Sequence, residues 1–349
     1  MNSAARWGRR VAAAVYGGGV RLRNWLYDRG VLPSWRPPVR TLVVGNLSAG
    51  GAGKTPMVMT LVEWLQERGV SAAVLSRGYG RRSAGLREVM PEDSFEEVGD
   101  EPLLIKQTHP GVPVVVSIDR REGIEYLIDY HRPAVVVMDD GFQHRRIRPT
   151  AAMVLMSYHH PYDRDALLPL GRLREPLSGL RRADALVVTK VPEVHRERAT
   201  EWRQRLRLPA ALPVFEVPMQ YGGVRWVAGP RPDAVRKPMA VAGIAEPQPF
   251  AAYLAERFPA LRTRFFPDHH PFTEEDMRAV WAEARRWGCD ALLTTEKDWV
   301  RLRERMPAPA LPVGVLPMRF VPGEALLAWL EKVLNIGKTE GEKTATFNL

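Results

Sequence analysis

Cysteine is almost missing from this chain of 349 residues: Cys289 is the only one. An intrachain disulfide is therefore impossible, which excludes a disulfide scaffold and points to a reducing compartment. No apolar run reaches the roughly 20 residues that a membrane-spanning helix needs. Zinc-knuckle spacings, a basic region running into a heptad and the aromatic signature of an RNA-binding sheet are absent too, so no nucleic-acid partner is expected. What is present is ordinary for a folded protein: 45% hydrophobic and 26% charged residues. The length suggests about two domains. Lys plus Arg total 50 against 40 Asp plus Glu, a formal +10. Arg-rich chains suit phosphorylated substrates, anionic lipid or nucleic acid, and charge alone does not choose among them.

The first 30 residues carry Arg6, Arg9, Arg10, Arg21 and Arg23 around a glycine-bearing apolar stretch. It lacks the sustained apolar core and small-residue cleavage site of a signal peptide. Read as a helix, Trp7, Val11 and Val15 share one face and Leu22, Trp25 and Leu26 form a second short stripe. Tryptophan and aliphatic anchors beside arginine suit a membrane interface, and they equally suit a helix packed on a core.

Short apolar strands are predicted at residues 40–45, 72–75, 112–118, 134–138, 151–157 and 185–189, with helical patterns between several of them. That alternation predicts a parallel sheet covered on both faces. From about Leu212 prolines become frequent. Further strands at 224–227, 239–242, 291–295 and 313–316, with helices near 249–257 and 273–287, predict a second, smaller α/β unit. The expected organisation is a 1–30 interface helix, a 31–215 core, a 216–335 smaller domain and a 336–349 flexible tail.

The strongest chemical signal runs from Val43 to Pro56. A strand enters a glycine-rich turn, and a helix leaves after Lys54-Thr55. Such a P-loop turns backbone N–H groups toward phosphate oxygens, with Lys on the β- and γ-phosphates and Thr on magnesium. Ser48, Ala49, Gly50, Gly51, Ala52, Gly53, Lys54 and Thr55 are the candidate nucleotide cradle, although Ser48 stands where the general pattern has glycine. The apolar strand Val135–Met138 ends in Asp139-Asp140, a Walker B-like position for a metal carboxylate. Successive side chains point to opposite faces, so the two acids do different work. Beyond them, His144, Arg145, Arg146 and Arg148 gather near the sheet's carboxyl edge, where such folds bind ligands.

Taken as an ordered set, these segments resemble the tetraacyldisaccharide 4'-kinase (lipid A 4'-kinase) family. The resemblance rests on Gly45-Asn-x-x-x-Gly-Gly-x-Gly-Lys-Thr-Pro56, Ser76-Arg-Gly-Tyr-Gly80, Val98-Gly-Asp-Glu-Pro102, Asp139-Asp-Gly-Phe-Gln-His144, Leu173-Arg-Glu-Pro176, Asp268-His269 and Thr295-Glu-Lys-Asp298, spread over residues 40–300. Ser48 fits that family's loop. The resemblance implies a membrane-associated P-loop kinase with a Rossmann-like core. It would use ATP and Mg2+ to phosphorylate the 4'-hydroxyl of a tetraacyldisaccharide 1-phosphate in lipid A biosynthesis. It implies Asp100 as general base paired with His269, and Lys54 on the phosphates. Thr55, Asp139, Asp140 and Glu175 are the implied metal group, with an arginine as the alternative partner of Glu175, and Arg120, His144, Arg172 and Arg174 are the implied substrate group, the three arginines for the disaccharide phosphate or ATP. A monomer on the cytoplasmic face of the inner membrane, peripheral or monotopic, is expected. Two other readings compete: a P-loop NTPase switch of metallochaperone type, and a soluble small-molecule kinase. The switch would need a guanine-reading Asn-Lys-x-Asp, and Val187-Val-Thr-Lys-Val-Pro192 supplies only the lysine.

Overall fold

The apolar runs fold as strands and the periodic segments as helices in a computed structural model that describes residues 3–192, 198–306, 309 and 311–337. In chain order α1 (Ser3–Asp28) precedes β1 (Arg40–Gly45), α2 (Lys54–Glu67), β2 (Ala72–Ser76), β3 (Arg87–Glu88), α3 (Phe95–Val98), α4 (Asp100–Thr108), β4 (Val114–Val116), α5 (Arg120–His131), β5 (Val135–Asp139), β6 (Ala151–Ser157) and β7 (Ala185–Val191). Then follow α6 (Ala199–Arg205), β8 (Val214–Tyr221), β9 (Arg225–Ala228), β10 (Pro238–Ala242), α7 (Gln248–Arg257), β11 (Arg262–Phe265), α8 (Glu274–Trp287), β12 (Ala291–Thr295), α9 (Glu296–Leu302), β13 (Val313–Leu316), β14 (Met318–Phe320) and α10 (Glu324–Leu334).

Nine strands make the larger sheet, in the order β14-β8-β7-β6-β1-β5-β2-β4-β3. All neighbours pair in parallel except the edge strands β3 and β14, which run antiparallel. Its strands alternate between two cores. Leu42, Val44, Val135 and Val137 face α2 and α4, whereas Val43, Val136 and Met138 face the side of α5. Met57, Leu61 and Leu65 recur at helical spacing along α2 and are fully buried. Burying each such side chain contributes about 1.5–3 kcal/mol. After β1 the chain builds β2, β4 and β5 on one side, then crosses to β6 on the other. The crevice beyond β1 is thus the point where strand order reverses, the usual ligand site of such sheets.

A second, five-stranded sheet runs β11-β10-β12-β13-β9, parallel except for β9. It is inserted between β8 and β14, which pair with each other in the larger sheet. The boundary expected at 215/216 falls inside β8. At the far end, α10 buries Leu326, Leu330 and Leu334 in the larger sheet's core rather than in the smaller unit. An apolar helix face demands burial but does not specify its partner. The part of the expected tail from 338 to 349 lies outside the described residues, as do Met1 and Asn2.

Helix α1 is continuous through Gly17, Gly18 and Gly19. At 3.6 residues per turn this merges the two expected stripes into one. Trp7, Val11, Val15, Leu22 and Trp25 are all exposed on that face. Ala13 and Gly17 are buried on the opposite side, and Leu167 lies so close to Gly17 that a Cβ there would sit 2.6 Å from its Cδ1. Tyr16 donates to Arg174 O (2.7 Å), and Asn24 donates to Glu175 (3.2 Å). No described helix is long and apolar enough to cross a membrane.

Candidate functional site

The P-loop occupies the reversal point. Gly53, with φ 79°, turns the chain into α2, and a Cβ on it would lie 2.6 Å from the Phe320 ring. Glycine is required there twice over, by backbone and by space. Lys54 opens α2 with its Nζ 3.2 Å from Asn46 Oδ1 and 3.6 Å from Asp140 Oδ1. Thr55 is buried in the first turn. The loop is held from outside by the 165–176 segment: Ala49 N donates to Arg172 O (2.8 Å) and Arg174 N to Leu47 O (2.7 Å). On its other flank Lys190 donates to Gly51 O (2.7 Å) and pairs with Glu246 (2.6 Å).

The two acids part because β5 ends between them, at Asp139. Asp140 takes a left-handed φ of 53°, and Arg174 grips both of its oxygens at 3.0 and 2.7 Å while also donating to Asn46. Burial alone would raise its carboxyl, but the Lys54 charge and the Arg174 contact hold it well below the usual range. Asp139 is fully buried, and neither of its oxygens has a hydrogen-bond partner. Burial, with Glu101's charge adding to it, pushes its carboxyl up to about 8. An unpartnered buried carboxylate is expensive unless a cation completes it.

A second cluster joins the two sheets. Gly99, with φ 94°, caps α4, and a Cβ on it would approach Gly78 Cα and Tyr79 O at 3.3 Å. The Ser76–Gly80 and Val98–Pro102 motifs are therefore two glycine loops packed together, and Asp100 leaves that contact at the head of α4. His269, from the loop after β11, places Nδ1 3.0 Å from Asp100 Oδ2. Lys297 of α9 contacts His269 Nε2 at 3.1 Å and Glu101 at 2.9 Å. Burial opposes charge on Lys297, but Glu101, Asp100 and Asp268 outweigh it and raise the ammonium above its ordinary value. An ammonium only donates, so His269 Nε2 accepts and the ring proton sits on Nδ1, facing Asp100. For Asp100 itself, burial is outweighed by the His269 hydrogen bond and the Lys297 and Arg301 charges, which keep it ionised. The buried Asp298–Arg301 pair anchors Gly243, whose carbonyl accepts from His269 N (3.1 Å).

The structure thus brings Lys54, Asp140 and Arg174 into one cluster, and Asp100 and His269 into another. Arg120 is buried, its Nη1 on Ser117 O, and burial pushes its guanidinium down to about 10 while Asp140 and Asp139 oppose the shift. His144 is pushed down to about 4 by burial and by the Arg120 charge, and is neutral at pH 7. Two expected residues are engaged elsewhere. Arg172 meets the P-loop through its carbonyl, while its half-exposed side chain pairs with Asp165 (3.2 Å). Glu175, expected as a metal ligand, is fully buried and already accepts from Arg182 (2.9 Å), Gln143 (2.8 Å) and Asn24 (3.2 Å). Among the described residues no three His, Cys, Asp or Glu side chains converge as a metal cluster. Thr55 and Asp139 nevertheless fit a divalent cation that takes its remaining oxygens from phosphate and water.

Asn46, Gln143, Lys190, Glu246 and Lys297 were not singled out as site residues. Asn46, Gln143 and Lys297 lie inside motifs that carry the family resemblance but had no role assigned to them, Lys190 was weighed only as a guanine-reading lysine, and Glu246 carries no motif.

The family model for tetraacyldisaccharide-1-P 4'-kinase matches residues 5–335. The tetraacyldisaccharide 4'-kinase of Chlorobaculum parvum is 38% identical over 306 residues, covering 84% of this chain and 84% of the relative. That of Porphyromonas gingivalis is 39% identical over 304 residues, covering 84% and 85%. Among solved structures, LpxK from Aquifex aeolicus in complex with ATP superposes with a TM-score of 0.72 at 29% identity, over 95% of this chain and 98% of that one.

Proposed function

This chain belongs to the tetraacyldisaccharide 4'-kinase family, and from that membership and its site we infer how its own residues carry the family's reaction. The enzyme transfers the γ-phosphoryl group of ATP to the 4'-hydroxyl of tetraacyldisaccharide 1-phosphate, a step of lipid A biosynthesis. Phosphoryl transfer depends on positioning and charge neutralisation more than on covalent help.

Lys54 neutralises the β- and γ-phosphates, and the amides of the 48–55 loop cradle them. Asp139 and Thr55 would hold Mg2+, which when bound would neutralise phosphate charge. Asp140 is the partner that fixes Arg174 and Lys54 beside the loop. Asp100 accepts the proton of the acceptor hydroxyl, oriented by the Nδ1–H of His269. A loose transition state needs an aligned acceptor more than a strong base, so a low carboxyl pKa is compatible with that role. Arg120 faces the same acids and supplies positive charge. The exposed apolar face of α1 lies on the membrane surface, the cytoplasmic side of the inner membrane, where an acylated acceptor resides. One chain supplies every group named, which is consistent with a monomer.

The observation that carries this reading is Asp139: a fully buried acid with both oxygens unpartnered, at the end of the strand beside the P-loop. The guanine-dependent switch is disfavoured because Lys190, its one base-reading candidate, is committed to Glu246 and Gly51 O. The test combines γ-labelled ATP, magnesium and detergent-dispersed acceptor. Wild type should label the lipid, and Lys54→Ala and Asp100→Ala should each lower the rate by at least about 100-fold. Phosphate release without labelled lipid would overturn the kinase reading.

A further inference from the structure

One charged group of the site has no part in the mechanism above. Lys297 is the second residue of the short helix α9, and the residues around it are already committed. Thr295 caps the helix by accepting from Asp298 N (3.1 Å). Glu296 pairs with Arg319 of β14 (2.6 Å). Asp298 is buried against Arg301 and accepts from Gly243 N (3.0 Å). A helix start held in this way fixes where the lysine between Glu296 and Asp298 leaves the backbone. Its largely buried side chain crosses from the smaller sheet to α4, with Nζ 2.9 Å from Glu101 Oε1 and 3.1 Å from His269 Nε2.

His269 stands between two acids. Asp100 Oδ2 lies 3.0 Å from Nδ1, and Asp268 Oδ2 lies 3.9 Å from Nε2. The other groups around the pair are the Tyr79 ring, its centroid 5.7 Å from that of His269, and Arg301, whose Nε is 3.4 Å from Asp100 Oδ2. Each acid by itself draws a ring proton to its own side, so the two together leave the tautomer undecided. Which nitrogen carries the proton is set by what the other nitrogen meets. Lys297 supplies that partner, because an ammonium has three donors and no acceptor. We propose that Lys297 is a positioning residue for the phosphoryl transfer. It keeps Nε2 bare against the pull of Asp268, so the ring's one proton stays on Nδ1 and fixes the direction of the Asp100 carboxylate. Glu101 anchors the ammonium from the α4 side, next in the chain to Asp100. The inference rests on the kinase reading above and deepens it: the pair that handles the acceptor's proton has a third member, carried by a helix of the smaller sheet. An ion pair that served only to join the sheets would not need to end on an imidazole nitrogen.

Two measurements on the full chain test this. The first is nitrogen-15 spectroscopy of histidine-labelled protein at neutral pH without substrate, with the His269 signals identified by their loss in His269→Gln. Wild type should show a protonated Nδ1 and a bare Nε2, and Lys297→Met should show a proton on Nε2. The second is steady-state kinetics in detergent micelles. Lys297→Met should lower kcat by at least about tenfold, the size of one lost charge-assisted contact. KM for ATP should stay within about twofold of wild type, since Lys297 makes no contact with the P-loop. Lys297→Arg, which keeps a cationic donor, should recover part of kcat and the wild-type ring signals. Because Lys297→Met leaves Glu101 unpaired, the double variant with Glu101→Gln removes the charge pair as a whole. It should melt close to wild type and still show both the lowered kcat and the proton on Nε2. An unchanged kcat in Lys297→Met would overturn the proposal. So would a lowered kcat with unchanged ring signals, which would make Lys297 a strut between the sheets. Failure of wild type to label the lipid would instead sink the kinase reading, whereas the ring signals are read without any acceptor.

Discussion

Asp139 is the residue on which the proposed metal site and the stability of the fold pull in opposite directions. It is fully buried, and no hydrogen bond satisfies either oxygen. Asparagine removes the desolvated acid while keeping the shape. Asp139→Asn should therefore raise the melting temperature of the nucleotide-free protein by at least about 2 °C, the order that one kcal/mol supplies in a chain this long, while abolishing lipid labelling. A variant that melts lower than wild type would count against an unfavourable buried acid. His144 gives the pH dependence. Burial and Arg120 push its pKa down to about 4, whereas in the unfolded chain it titrates near 6.5. Between those values the unfolded state binds more protons, so this contribution to stability is whole above pH 6.5 and lost as pH falls toward 4. His144→Gln should flatten that acid limb in thermal melts between pH 7 and 4.5. A variant curve parallel to wild type would show that other groups drive it.

Among the elements, α4 carries the most consequential placement. Its first residue is Asp100, and its direction is set by the contact between Gly99 and the Gly78–Tyr79 loop. At φ 94° and ψ 148° Gly99 lies where residues with a Cβ are strained. Gly99→Ala should cost about 1–3 kcal/mol of stability and lower kcat more than KM for ATP, because Asp100 and not the P-loop is displaced. Calorimetry and initial rates on the purified variant would measure both. Equal stability and activity would mean the two loops separate without consequence.

At the scale of the whole molecule, the proposed mechanism draws on two sheets and one outlying helix. The P-loop comes from the larger sheet and His269 from the smaller, and Lys297–Glu101 bridges α9 and α4 across them (2.9 Å). Helix α1 is fixed to the larger sheet through Tyr16, Asn24 and Asp28, which leaves its apolar stripe facing outward. Replacing Trp7, Val15 and Trp25 together by Ser should weaken binding to anionic phospholipid vesicles by at least about tenfold, since about 1.5–3 kcal/mol rides on each large apolar anchor. The melting temperature should hold, because these side chains touch solvent. Sedimentation with vesicles decides it: unchanged binding would assign the attachment to another surface.

Much of this was legible in the residues themselves. Gly53, Lys54 and Thr55 are placed by local spacing, because a strand, a tight turn and a helix start are short-range events. β6, β12 and β13 begin and end where the apolar runs do. The apolar stripe of α1 read as two fragments in sequence, and only the continuous helix Ser3–Asp28 joins them. Asp139 and Asp140 were equivalent in sequence, and they separate only because Arg174, 34 positions away, takes one of them. Glu175 could steady either the magnesium or an arginine on its sequence alone, and only the fold sets Arg182, Gln143 and Asn24 on it. The break expected at 215/216 failed to anticipate that β14 and α10 return to the first sheet. The sequence by itself determined the phosphate loop, the alternation of strands and helices and the family's ordered motifs, all written in near neighbours. Tertiary structure alone decided which acid stays unpaired, which partners the arginines take and what each apolar face covers, because charge pairing and burial are settled by partners distant in the chain.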